Sequence, residues 1–372
     1  MSVTREQVLR YRVNAQQLDR PVAAGRSPDD AAILDLGVQD TGPDGALWAL
    51  ALRGVPVRAH DWPRELALAW TLRAAPHAYR RADLTAVEKA VRPWSEADAA
   101  SRVLNAAGSL RAADIPVVEA LAATARAMRG VVDHPMDKGS VSTRMTAEMT
   151  EPYLRWCEGC GATHMYEMPF RLAALHAGLE LEPDTSPPVL RRIPRWPAGQ
   201  VGVLDRPSTQ DDGPLDPLRG LLHLLGPLTH KQAAAYVDSP LRDVKERWPD
   251  DAVEVDLDGH PAWLLGADRA ALENPPDEPV VRLLGPYDLY LQGRERDLLV
   301  PDKGRHKALW QSIGRPGAVL ADGEIVGTWR PRAKGTTLAL ELDEWVPWSA
   351  RTKGAVGVEH ERLAEFRGLT PA

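Results

Sequence analysis

Three adjacent polar side chains, Gln39, Asp40 and Thr41, fall in a turn, Gly37-Val38-Gln39-Asp40-Thr41-Gly42-Pro43, between two apolar runs. A Gln carbonyl can hold a water and set its dipole against a developing positive charge, and a carboxylate adds charge and general-base power. The competing reading is structural: Asp40 or Thr41 caps the helix that follows. A second group is Arg73 and His77, spaced so that both could face one groove, with Arg80 and Arg81 beyond them as phosphate contacts. A third is Cys157-Glu158-Gly159-Cys160 followed by His164. Two thiolates and an imidazole suit zinc, but a structural site wants a fourth ligand, and neither His176 nor Glu167 is compellingly spaced. Two reduced thiols, a redox pair, or a His164 that begins a strand and touches DNA are the alternatives.

Basic and hydroxyl side chains also cluster on two helices. Lys138, Ser140, Ser142, Thr143 and Arg144 lie on one, and Arg242, Lys245 and Arg247 on the other. These types fit phosphate contact with some base-edge contact. Charges on a helix are more often a solvated face, so the surrounding elements decide. In the second case, helices over Pro214–Leu225, Lys231–Val237 and Leu241–Trp248 precede strands Ala252–Leu257 and Pro261–Leu265 joined by Asp258-Gly259. Asp-Gly supplies the positive φ angles of a tight hairpin turn, so the pattern is helix-turn-helix followed by a wing. In the first case, helices Asp114–Met128 and Asp137–Met149 precede strands at Thr163–Met168 and Pro187–Ile193, with a helix over Phe170–Gly178 between them.

Further elements frame these. Thr4 caps a first helix to about Leu18, a short helix covers Asp30–Leu36, and Pro43 suits the first turn of a helix continuing through Leu47–Leu52. Leu66–Leu72 reads as a strand, Ala82–Arg92 as a helix, and Ser95 opens a helical stretch containing Val103, Leu104, Ala107 and Leu110. Strand candidates Val280–Leu284, Asp288–Leu291, Ala318–Leu320, Glu324–Arg330 and Thr336–Leu342 suggest a small antiparallel barrel or sandwich, with a helix over Gly357–Phe366. The reading is an α+β chain of four consecutive domains: 1–94, winged-helix-like with the polar turn, 95–205, helical with a winged helix, 206–274, a winged helix, and 275–372, a β-barrel and terminal helix.

The whole composition sets limits. The chain has 372 residues and a net charge of −7. That excludes a uniformly basic nucleic-acid binder but leaves room for a local basic patch. Two cysteines are too few for a secreted disulfide framework and point to a reducing cytoplasm. No apolar stretch is long enough to span a bilayer, and Met1–Glu6 lacks the apolar run of a signal peptide.

Four segments carry a specific resemblance. They are Leu36–Thr41 with Ala46–Arg53, Trp70–His77, Leu284–Leu291 and Val319–Trp329. In this order they resemble the AlkZ/YcaQ-like DNA glycosylases over nearly the whole chain. The resemblance implies tandem winged helices and a β-barrel in a concave, C-shaped body, with excision of alkylated bases, including bulky or crosslinked adducts, and no cofactor or metal. It implies a catalytic motif of Gln, an apolar residue, then Gln or Asp. Gln39 matches the first member, Asp40 stands at the apolar position and Thr41 at the last. The expectation is a monomeric, monofunctional glycosylase acting on duplex DNA in the cytoplasm, at the nucleoid. A non-catalytic winged-helix DNA-binding protein is the second reading, and a protein-interaction scaffold the third.

Overall fold

The computed structural model describes residues 1–21, 25–42, 45–204, 213–277 and 279–372. Pro43 and the expected boundary at 205/206 lie outside the described residues. The chain folds into two compact units, each assembled from separated stretches of sequence. The first comprises Met1–Arg64, Leu218–Ala233 and Pro249–Ala372; the second comprises Glu65–Pro217 and Ala234–Trp248.

The first unit is discontinuous because its N-terminal segment has no core of its own. Thr4 and Gln7 form a capping box that starts helix Arg5–Ala15. The buried residues Val8 and Tyr11 of this helix pack with Val255, Ala262 and Leu264, while Leu9 and Val13 join Leu47, Trp48 and the buried residues of Val280–Phe366. Strand Ser2–Val3 adds in parallel to Ala252–Leu257, which pairs antiparallel with His260–Leu265. Asp258 and Gly259 turn that hairpin at φ 49° and 86°, as the Asp-Gly signal requires.

The C-terminal strands form a five-stranded sheet in the order Val281–Leu284, Gly317–Ala321, Glu324–Lys334, Thr337–Glu344, Thr370–Pro371. All pairs are antiparallel except the last. The first and last strands are edges, so the expected barrel is realised as an open half-barrel. Helix Ala350–Phe366 runs longer than expected and packs against the first strand. Asp288–Leu291 is a 3-10 turn capped by Asp288, not a strand: its carboxylate accepts from Tyr290 N, which bends the chain.

In the second unit five antiparallel strands pair in the order Pro76–Arg80, Leu66–Trp70, Leu179–Leu181, Val189–Arg192, Met136–Asp137. Helices Glu96–Arg102, Ala106–Ala112, Val117–Val131 and Lys138–Glu148 follow one another, the first two separated where Leu104 takes φ 52°. The hairpin after the last of these is Leu154–Cys157 with Ala162–Met165. Residues 163–165 therefore pair backward, to the strand before them, and not forward to Pro187–Ile193, and the strand expected through Met168 stops short of it. Gly161, at φ 61°, lets the chain reverse there, and the next helix begins at Glu167.

Candidate functional site

Gly37 takes φ 86° and leads into the short strand Val38–Gln39. The Gln39 Nε2 amide donates to Thr41 Oγ1 at 2.9 Å. Its carbonyl Oε1 accepts from Gln292 Nε2 at 3.2 Å, and Gln292 Nε2 also donates to the Tyr287 carbonyl at 3.1 Å. These contacts fix which end of the Gln39 amide is oxygen. They also leave that oxygen one lone pair for another donor. Gln39, Thr41 and Gln292 are each half-buried, so the chain of amides is reachable from solvent.

Asp40 does something different. Its Oδ1 accepts from Ala46 N at 2.9 Å, inside the first turn of helix Gly45–Leu52. A Cβ on Gly45 would stand 3.1 Å from Asp40 Cα and from the Gln39 carbonyl oxygen, so this helix starts pressed against the turn. The carboxylate expected as a catalytic group thus serves the helix N-terminus, where backbone N–H groups lack partners.

The turn is held by residues that the sequence motifs supplied. Arg53, at the end of the Ala46–Arg53 segment, forms a two-pronged pair with Asp288 at 2.8 and 2.9 Å. Both side chains are 0 % exposed. Arg53 also donates to Gln16 Oε1 and to the Ala49 carbonyl. Trp48 Nε1 donates to the Leu283 carbonyl, Trp329 Nε1 to the Leu284 carbonyl, and Tyr290 Oη to the Gly323 carbonyl. Three of the four motif segments therefore lock onto one another, and this places Tyr287 and Gln292 against Gln39.

A cationic cluster adjoins that segment. The Arg315 guanidinium stacks over the Tyr287 ring at 4.6 Å. Burial first, then Arg296 and Arg294, pull the Arg315 pKa below its ordinary value against the opposing pull of Tyr287. Arg294 and Arg296 are exposed. Sequence reading missed Tyr287, Gln292, Arg294, Arg296 and Arg315. The available signal was their position around the Leu284–Leu291 motif, with two arginines just beyond it.

The second group is structural. Arg73 and Ala74 take φ 56° and 53° in the loop between strands Leu66–Trp70 and Pro76–Arg80. Arg73 donates to the Tyr236 carbonyl at 3.0 Å and stacks over the Tyr236 ring at 4.5 Å. His77 is 2 % exposed, with Nδ1 2.9 Å from the Ala75 carbonyl and 3.0 Å from Thr71 Oγ1. Burial first, then the Arg73 charge, lower its pKa to about 3, despite the Ala75 hydrogen bond. The DNA contact expected of His77 is corrected accordingly: its ring is enclosed because strand register turns it inward beside Tyr79. Arg81 pairs with buried Glu180 at 2.7 Å and donates to the Leu66 carbonyl, and Arg80 lies 3.5 Å from Asp83.

The helix candidates divide similarly. Lys138 pairs with Glu167 at 2.7 Å, and Ser140 belongs to the Asp137 cap that starts its helix. Ser142 is half-buried, while Arg144 and Lys245 are exposed. Arg242 is exposed and pairs with Glu246 one turn on. Arg247 instead stacks over Trp94 at 5.1 Å.

Cys157, Cys160 and His164 meet on the Leu154–Cys157/Ala162–Met165 hairpin, their ligand atoms all within 4.8 Å of one another. Proximity to His164 first, then to Cys160, draws the Cys157 thiol down to about 7, and Cys160 is raised by Cys157. Neither fourth-ligand candidate joins them: His176 is buried against Glu88 at 2.7 Å, and Glu167 is engaged by Lys138 and Arg171.

This architecture has a counterpart among solved structures. Streptomyces sahachiroi DNA glycosylase AlkZ matches with a TM-score of 0.68 and 20% identity, covering 100% of each chain. A family model described as DNA glycosylase AlkZ-like matches residues 33–366, and the chain belongs to that family. Among curated proteins, none matches the chain by sequence. No helix among the described residues is long and apolar enough to cross a membrane.

Proposed function

We propose that this protein is a monofunctional DNA glycosylase that hydrolyses the N-glycosidic bond of alkylated purines in duplex DNA, with bulky or crosslinked adducts within its range. The observation that carries the reading is the amide relay Gln292–Gln39–Thr41, half-buried beside the Arg294, Arg296 and Arg315 cluster. Alkylation at a ring nitrogen makes the base cationic, so it departs with the bond's electron pair and becomes neutral. No acid need protonate it. The remaining demands are to steady an oxocarbenium-like sugar and to place a water at the anomeric carbon. The oriented Gln39 carbonyl meets both, by its dipole and by its spare lone pair. Thr41 fixes the amide, and Asp40 positions the turn by holding the next helix. The arginine cluster supplies phosphate contacts. Arg144, Arg242 and Lys245 are the exposed cations that two winged helices would turn to DNA as a monomer binds.

A second reading is DNA binding without catalysis. It is favoured by one observation: the only carboxylate of the Gln39–Thr41 turn is engaged in capping. Base release from a duplex containing N7-alkylguanine separates the two. The expected result is release that falls about 10²–10³-fold in Gln39→Ala with DNA affinity retained. Arg315→Gln should weaken binding and lower the salt-dependence slope by about 0.9. Tight binding by the unaltered protein with no base released would establish the second reading.

A further inference from the structure

The hairpin Leu154–Cys157/Ala162–Met165 carries a group of side chains that the proposed glycosylase chemistry does not use. Its turn is Cys157-Glu158-Gly159-Cys160-Gly161, and it closes with Cys160 N and Gly161 N donating to the Cys157 carbonyl at 3.2 and 2.9 Å. Gly161 then takes φ 61°, a conformation that strains any residue with a side chain. This folds the backbone so that the two sulfurs lie within 4.8 Å of each other. Two thiols held this close can bind one ion together as thiolates, the form that binds metal.

The third member is prepared by its own partner. His164 Nδ1 lies 2.7 Å from the Met165 carbonyl, which can only accept, so Nδ1 carries the proton. In the neutral ring Nε2 is then left with its lone pair. A ring nitrogen that donates to a backbone carbonyl while the other faces outward to a ligand position is the usual arrangement of a metal-binding histidine. The two sulfurs and the imidazole already lie within 4.8 Å of one another, the mutual spacing that ligands around one small ion require.

We propose that Cys157, Cys160 and His164 bind one divalent zinc ion, with solvent in the fourth position. Among the described residues no further His, Cys, Asp or Glu joins the trio, and Cys160 is exposed, so the open position faces water. Two soft thiolates with one imidazole select zinc over magnesium or calcium. The ion would tie the two strands of the hairpin together at its tip. Arg155 and the exposed Trp156 lie in the same strand and would be held with it.

This proposal stands apart from the glycosylase reading, and its test reads metal rather than base release. The full-length protein is purified under reducing conditions from zinc-supplemented cells and its metal content measured. A stripped sample is then titrated with Co²⁺. The expected result is about one zinc per chain and a thiolate-to-cobalt charge-transfer band with tetrahedral d–d absorption. Cys157→Ser, Cys160→Ser and His164→Ala should each lower affinity at least about tenfold, while Glu158→Ala should leave it unchanged. Circular dichroism confirms that each variant is folded, and the cobalt spectrum of the unaltered chain needs no variant. Absence of metal and of a cobalt spectrum in the unaltered protein would overturn the assignment. So would undiminished binding in the cysteine variants, or a Cys157–Cys160 disulfide in place of metal.

Discussion

Two polar turns of this protein look alike in sequence and differ in use. Gln39–Thr41 and Thr71–His77 each join short structural elements and each carry hydrogen-bonding side chains. In the second, the partners of His77 and Thr71 are local: His77 meets Thr71 and Ala75, and Thr71 meets Tyr79, while Arg73 is taken up by Tyr236. Local closure consumes the polar groups and lets the chain bury them. In the first, the decisive partner is Gln292, far along the chain, and it engages only one lone pair of the Gln39 carbonyl. A distant partner orients the group and leaves part of its capacity for a ligand. The difference teaches that residue type and turn propensity do not separate scaffold from site, whereas the bonding capacity that the partners leave unused does.

The comparison is broken most severely at the pair that brings the distant partner in. Asp288→Ala leaves the Arg53 guanidinium charged and fully enclosed, without its carboxylate. Removing one member of a buried pair costs about 3–5 kcal/mol. Urea unfolding should show a loss of that size, and base release should fall with it, because the segment carrying Tyr287 and Gln292 loses its anchor. A loss below about 1 kcal/mol would mean that the pair does not hold the turn.

The local closure of the second turn is tested by pH. The His77 pKa of about 3 lies well below the ordinary 6.5. As pH falls, the unfolded chain takes up this proton before the folded one does. The stability contributed by the neutral buried ring is therefore complete above about pH 6.5 and is lost on descending toward pH 3, at up to about 1.4 kcal/mol per pH unit. NMR of the His77 ring should show no titration between pH 7 and 4, and His77→Asn should reduce the acid slope of stability. A midpoint near 6.5 would place the ring in solvent and restore it as a DNA contact.

How much of this was legible follows the same division. Features set by nearby residues could be read: the Thr4 cap, the Asp258-Gly259 hairpin, and the helix that starts at Asp137-Lys138. Features set by distant residues could not. Asp288–Leu291 has strand-like apolar alternation, yet the Arg53 pair and the cap make it a turn. Arg73 and His77 have the types of a DNA contact, but Tyr236 and the strand register claim them. Gln39 was found by resemblance, while Gln292 and Arg315 became visible only when the chain brought them to it. The open sheet follows from a long-range choice too, since Thr370–Pro371 pairs in parallel with Thr337–Leu338 and so ends the sheet.

The smallest expected effect bears most directly on catalysis. Asp40 accepts from Ala46 N, so Asp40→Ala should cost about 1 kcal/mol through loss of a cap. Asparagine also accepts a hydrogen bond at a helix start, so Asp40→Asn should keep nearly all of that stability while removing the charge. If the carboxylate serves only the helix, Asp40→Asn will release base at close to the unaltered rate. If instead its charge supports the sugar cation or deprotonates the water, the rate will fall by about 10²-fold or more with unfolding unchanged. Comparing the two substitutions thus divides position from chemistry at one residue. It also sharpens the contrast with His77, whose side chain is fully claimed by its own loop and should show no effect on rate apart from stability.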